Sequence, residues 1–123
     1  MRALVVEDSS TIRKILCQYL KKMNIEAVEA GDGREALELL KEIAAPDLVL
    51  VDWNMPVMSG IDFIRAVREL QIYDPLPLIM VTTNSESSYL GEAMEAGANL
   101  YIQKPCTFEA LRERLEQLGL LTT

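Results

Sequence analysis

Histidine is absent from the 123 residues. That removes the commonest general base and the commonest transition-metal ligand. Cysteine is scarce. Cys17 and Cys106 stand far apart without CxxC spacing, too few for a disulfide framework, and read as ordinary thiols in a reducing compartment. No apolar run approaches the length that spans a bilayer. Arg2 is followed at once by a short apolar run and then by acids, which gives no signal peptide. Positive charge is also short: 12 Lys and Arg face 19 Asp and Glu, a net charge of −7. A nucleic-acid binder carries a basic stripe to meet phosphates, so that class is excluded. The expectation is a cytoplasmic protein with no nucleic-acid partner and no membrane insertion.

Half of the residues are hydrophobic. That suits one compact domain with one core, taken as residues 1–123 with no output domain, because only Leu121, Thr122 and Thr123 follow Leu120. Short apolar runs alternate with segments of helical period. Ala3–Val6, Ile25–Val28, Leu48–Val51, Leu78–Val81 and Leu100–Ile102 read as strands. The continuous apolar run of the third marks a strand covered on both faces, as in a parallel sheet. Between them, Ile12, Ile15, Leu16, Tyr19, Leu20 and Met23 recur at helical spacing, capped by Ser9 or Ser10. Ala36, Leu37, Leu40 and Ile43 form the face of a second helix after a Gly31-Asp32-Gly33 turn, and Pro46 ends that segment. Ile61, Ile64, Val67 and Leu70 point a third helix inward. A fourth runs from about Ser87 to Ala96 and stops at Gly97, and a fifth begins near Thr107. Five βα units in succession with short loops predict an α/β, doubly wound (βα)5 fold: a five-stranded parallel sheet with helices on both faces.

In such sheets ligands bind beyond the carboxyl ends of the strands. Glu7 and Asp8 follow the first strand, Asp52 the third, Thr82 and Thr83 the fourth, and Gln103, Lys104 and Pro105 the fifth. With strand one beside strand three, three carboxylates converge in one crevice, flanked by Thr82 and Lys104. Carboxylates so crowded raise one another's pKa unless a cation intervenes. A hard divalent ion relieves them, and an open pocket with few protein ligands favours Mg²⁺. Carboxylate, metal, ammonium and hydroxyl together form a phosphoryl-transfer constellation with a covalent aspartyl phosphate. Taken singly, each residue has a plainer reading, as a helix N-cap or a solvated lysine. The conjunction at one end of the sheet carries the argument.

These residues resemble the receiver domain of two-component response regulators, and most closely its stand-alone CheY-like members. The carriers are Val5-Val6-Glu7-Asp8, Asp52-Trp53-Asn54-Met55-Pro56 with Gly60, Met80-Val81-Thr82, and Tyr101 three residues before Lys104-Pro105. The similarity runs from Arg2 to about Leu120. It implies a flavodoxin-like fold with strand order 2-1-3-4-5, an order taken from the resemblance and not from periodicity. It implies that Asp52 is the phospho-acceptor, that Asp8, Asp52 and the backbone carbonyl of Asn54 bind Mg²⁺, and that Glu7 acts largely through bound water. Lys104 then holds one phosphoryl oxygen and Thr82 another after activation. Tyr101 matches the aromatic that moves inward behind that threonine, and the Lys104–Pro105 peptide matches the family's cis bond. Cys106 departs from the aromatic or aliphatic residue usual there.

The implied function is a signalling switch, not an enzyme beyond phosphorylation from small phosphodonors and slow autodephosphorylation. The implied partners are a sensor histidine kinase, a downstream protein such as a motor switch, and a phosphatase. The implied output face is the fourth helix, fifth strand and fifth helix, with chemotaxis the expected pathway and a phosphorelay intermediate the alternative. An aspartyl-phosphate hydrolase is the rival from another class. Hydrolases of the haloacid-dehalogenase type place a second acid two residues after the nucleophile, where this chain has Asn54. Asn84, two residues beyond Thr82, is placed to tune phosphoryl lifetime. A flavodoxin-like cofactor binder would set Glu7 and Asp8 against a free phosphate, and a pure interaction module would have no need of the intact set.

Overall fold

The computed structural model describes residues 1–53, 55, 57–83 and 87–121, with the backbone alone for 87–89. Five strands, β1 (Arg2–Val6), β2 (Glu26–Ala30), β3 (Leu48–Asp52), β4 (Leu78–Thr82) and β5 (Leu100–Gln103), alternate with five helices. These are α1 (Ser10–Lys22), α2 (Gly33–Glu42), α3 (Gly60–Arg68), α4 (Ser87–Ala96) and α5 (Phe108–Gln117). All strand pairs are parallel, in the order β2-β1-β3-β4-β5. The chain therefore reverses direction across the sheet between β1 and β3, which opens a crevice at their carboxyl ends.

Side chains alternate across the sheet, and the two halves of the core follow. Leu4, Val6, Val49, Val51, Leu78 and Met80 pack with Ala36, Leu40, Phe63, Ile64, Val67 and Ala93 of α2, α3 and α4. Ala3, Val5, Leu48, Leu50, Ile79, Val81 and Ile102 pack with Leu16, Leu20, Leu111 and Leu115 of α1 and α5. Because both faces are covered, β3 and β4 are buried along their whole length, which is why their sequences are continuously apolar.

Polar side chains fix the helix starts. Ser9, Asp32, Ser59 and Thr107 each accept a backbone N–H from three residues on, at 3.3, 2.8, 3.2 and 3.1 Å. Glu35 also reaches back to the Gly31 N–H at 3.1 Å. Gly97 closes α4 with φ +123°, a conformation that few residues other than glycine accept. Its position also leaves no room for a side chain, since a Cβ would lie 2.5 Å from Arg68 Cγ.

One inward-facing expectation is corrected. Leu70 lies beyond the end of α3 and is 43% exposed, while Phe63 is fully buried. Arg68, the last residue of α3, turns its guanidinium onto carbonyls beyond the helix. It donates to the carbonyls of Tyr73, Asp74, Leu76 and Gly97 and to Asn99 Oδ1, at 2.7 to 3.2 Å. The second strand also begins one residue later than its apolar run, at Glu26.

Candidate functional site

Register brings the acids together. Val6 of β1 lies opposite Val51 of β3, so the residues that follow, Glu7 and Asp52, emerge side by side. Asp52 is 5% exposed and Glu7 1%, while Asp8 reaches solvent. One carboxylate oxygen from each of Glu7, Asp8 and Asp52 falls within 4.8 Å of the others. Lys104, at the end of β5, reaches across β4 to them. Its Nζ lies 2.9 Å from Asp52 Oδ1 and 3.1 Å from Glu7 Oε2.

Burial dominates the electrostatics. Desolvation, followed by the charge of Asp52, pushes the Glu7 carboxyl up to about 7 from its ordinary 4.5, against the lowering pull of Lys104. Desolvation likewise raises Asp52, with Lys104 opposing. For Lys104, burial acts to lower the ammonium, but the hydrogen bond to Asp52 and the charges of Asp52 and Glu7 win and leave it raised. One lysine thus serves two buried carboxylates and satisfies them incompletely. It donates a hydrogen bond to Asp52, whereas Glu7 Oε2 is paired in charge but accepts no aligned hydrogen bond. Glu7 Oε1 accepts the Ser9 N–H at 3.3 Å.

The donor set fits a hard divalent cation. Three carboxylate oxygens converge, there is no thiolate or imidazole among them, and one buried oxygen lacks a hydrogen bond. Glu7, Asp8 and Asp52 are the side chains that could hold it. Asn54 and Asn84, the other residues singled out in the sequence around this pocket, lie outside the described residues.

Backbone contacts set the walls. Thr82, 2% exposed, ends β4, and its carbonyl accepts the Lys104 N–H at 2.8 Å. The Lys104–Pro105 peptide is cis. After β3, the Trp53 N–H donates to the Val81 carbonyl at 3.1 Å, and the Gly60 N–H returns to the Trp53 carbonyl at 3.0 Å. Gly60 is placed there because nothing larger fits: a Cβ would sit 2.2 Å from the Asp52 carbonyl oxygen. Gly60 is thereby held against the backbone of the residue whose carboxylate enters the pocket.

Tyr101 stands apart from the cluster. It is 39% exposed on β5, and its carbonyl accepts from Arg114 Nε at 3.1 Å. Cys106 is half-buried, and burial pushes its thiol up to about 11. It lines an apolar groove of about 390 Å³ with Ile12, Ile15, Leu16 and Tyr19 of α1. Sequence reasoning does not single out Arg13, whose guanidinium holds the peptide carbonyl of Glu7 at 2.8 Å. An arginine one turn into an acidic-loop helix carries no signal by itself.

Comparison with known proteins agrees with this geometry. Residues 3–116 match the response regulator receiver domain family. Chemotaxis protein CheY1 of Helicobacter pylori is 42% identical over 117 residues, covering 94% of this chain and 94% of that protein. Chemotaxis protein CheY of Pseudomonas aeruginosa is 40% identical over 119 residues, covering 96% and 95%. Among solved structures, the chemotaxis response regulator CheY4 of Vibrio cholerae superposes with a TM-score of 0.88 at 35% identity, covering 95% of this chain and 97% of that one. With its five parallel strands in the order 2-1-3-4-5, its acidic crevice and these relatives, the chain belongs to the response regulator receiver domain family and is CheY-like within it.

Proposed function

We propose that the chain is a single-domain phosphorylation switch of the cytoplasm, residues 1–123 acting as one unit, which accepts a phosphoryl group on Asp52 from a sensor histidine kinase. The observation that carries this reading is the Asp52 carboxylate itself. It is buried at a strand end, beside Glu7 and Asp8, with Lys104 Nζ 2.9 Å from one oxygen.

A carboxylate oxygen of Asp52 forms the new P–O bond as the P–N bond of a phosphohistidine breaks and its electron pair returns to the imidazole. Mg²⁺, held by Glu7, Asp8, Asp52 and the Asn54 carbonyl, with Glu7 acting largely through bound water, would supply charge neutralisation for the transferring group. Lys104 is already within hydrogen-bond reach of Asp52 and carries its charge onto a phosphoryl oxygen without a large movement. Its ammonium stays protonated there because Asp52 and Glu7 raise it. Thr82 offers its hydroxyl to a second phosphoryl oxygen. The surface then follows: as Thr82 is drawn in, Tyr101 exchanges its exposed position for an inward one, a population shift between two packings. The face of α4, β5 and α5 then binds a downstream protein, in chemotaxis by analogy with the relatives, or passes the phosphoryl group on in a relay. A phosphatase would reset it, and Asn84 would set how long the phosphoryl group lasts. Own-site chemistry is limited to phosphorylation from small donors and slow autodephosphorylation.

The test is intact mass after incubation with Mg²⁺ and a small-molecule phosphodonor, on the native sequence and on Asp52→Asn. One phosphoryl adduct that requires Mg²⁺ and is lost in the variant is the expected result. An adduct that persists in Asp52→Asn would overturn the assignment of the acceptor.

A further inference from the structure

The peptide that carries Glu7 is held from two directions. Its N–H donates to the Ala30 carbonyl of β2 at 3.1 Å. Its carbonyl accepts from Arg13 Nη1 at 2.8 Å. The same guanidinium donates from Nε to Glu29 Oε1 of β2 at 2.9 Å. Arg13 is only 21% exposed, whereas Glu29 is 48% exposed. One planar side chain from the second turn of α1 therefore ties β2 to the turn that presents Glu7 and Asp8. A guanidinium suits this, since its fork of donors reaches two acceptors at fixed relative geometry.

We propose that Arg13 is a positioning residue for the acidic site. By holding the Glu7 peptide between β2 and α1, it sets where the Glu7 and Asp8 carboxylates meet Asp52. The inference rests on the divalent-cation reading of that cluster. Arg13 meets the acidic turn at its backbone, through the Glu7 carbonyl, and its other hydrogen bond goes to Glu29 of β2. Two opposing effects follow from its removal. Loss of a nearby positive charge would by itself strengthen cation binding. Loss of the fixed peptide would weaken it, since groups that orient ligands are worth roughly tenfold or more in metal affinity. The sign separates a positioning role from a merely electrostatic one.

The experiment is Mg²⁺ titration followed by Trp53 fluorescence, with phosphorylation rate measured against Mg²⁺ concentration. It is run on the native sequence, Arg13→Ala, Arg13→Lys and the control Tyr73→Phe. The control removes a buried hydrogen bond to the Leu40 carbonyl, so it lowers stability without touching the acidic turn. Arg13→Ala is expected to weaken Mg²⁺ binding about tenfold, while the phosphorylation rate at saturating Mg²⁺ stays within about twofold of native. Arg13→Lys keeps the charge but not the fork. It is expected to weaken binding as well, by less, and it carries the test should Arg13→Ala not fold. Unchanged or tighter binding in both variants would overturn the proposal, as would an equal weakening in Tyr73→Phe. If the native sequence itself shows no Mg²⁺ response, it is the cation reading of the cluster that fails, before Arg13 comes into question.

Discussion

Glu7→Gln should make the Mg²⁺-free domain more stable at pH 8 and leave it nearly unchanged at pH 4. In the fold, burial and the neighbouring Asp52 raise the Glu7 carboxyl from 4.5 to about 7. The folded state thus binds this proton more tightly than the unfolded chain does. Below pH 4.5 both states are protonated and nothing is lost. As pH rises from about 4.5 through 7 the fold must give up a proton it favours, and stability falls. At 1.36 kcal/mol per tenfold change in proton affinity, the full penalty above pH 7 is about 3 kcal/mol. Glutamine cannot ionise and keeps an oxygen for the Ser9 N–H, so it escapes the penalty. The Lys104 ammonium then belongs to Asp52 alone. Urea denaturation in EDTA at both pH values measures the difference. At pH 8 about 3 kcal/mol corresponds to a rise in Tm of roughly 10 °C for a domain of this size. Added Mg²⁺ should close much of the gap, because an ion that binds only the native carboxylates stabilises that state by mass action. A gain of equal size at pH 4 and pH 8, or a loss at pH 8, would refute the reasoning.

Gly60→Ala should cost about 1–3 kcal/mol, the usual penalty of overpacking, because its Cβ meets the Asp52 carbonyl oxygen. Denaturant melts measure the loss, and the phosphorylation rate should fall with it as Asp52 is displaced. Val57 holds φ +72° and is 74% exposed. Val57→Asn should gain about 1 kcal/mol in a thermal melt, since a β-branched residue is costly in the left-handed region and little burial is lost. Cys106, its thiol pushed up by burial to about 11 from 9.0, should react with iodoacetamide at pH 7.5 about a hundredfold more slowly than a peptide thiol. Rapid labelling of the folded protein would contradict that.

The legible parts of the sequence were those governed by local physics. Continuous apolar runs placed β3 and β4, whose burial on both faces demands them. Hydroxyls at Ser9 and Thr107 and glycine at Gly97 marked helix ends because capping is satisfied within four residues. Leu70 misled because periodicity knows nothing of where a helix stops. At that end Arg68 makes bonds to residues five to thirty-one positions away, which no local pattern shows. Arg13 was equally silent: its partners are a carbonyl six residues back and a glutamate on β2. The acids were visible as residues following strands, but the adjacency of β1 and β3 came from resemblance. Nothing in the local pattern of five similar βα units distinguishes that order from others.

The site's energetics explain why the acidic turn needs such support. Glu7 and Asp52 are both almost wholly buried and share one lysine. A cluster of this kind is a liability in the fold, since burial makes both carboxylates costly to ionise and the Asp52 charge adds to the cost at Glu7. Free acids so placed would relax outward if the backbone allowed it. It does not: Gly60 packs beneath the Asp52 carbonyl, Ala30 and Arg13 clasp the Glu7 peptide, and Thr82 holds the Lys104 N–H. The restraint is applied to the backbone at Glu7, Asp52 and Lys104, and their side chains are left with short reach and few alternatives. Desolvation that raises Asp52 also leaves its carboxylate more basic and less shielded by water than a surface acid. The cost of about 3 kcal/mol for ionising Glu7 is borne against this restraint of the backbone. That restraint is the same preorganisation that a phosphoryl acceptor with few catalytic side chains would depend on.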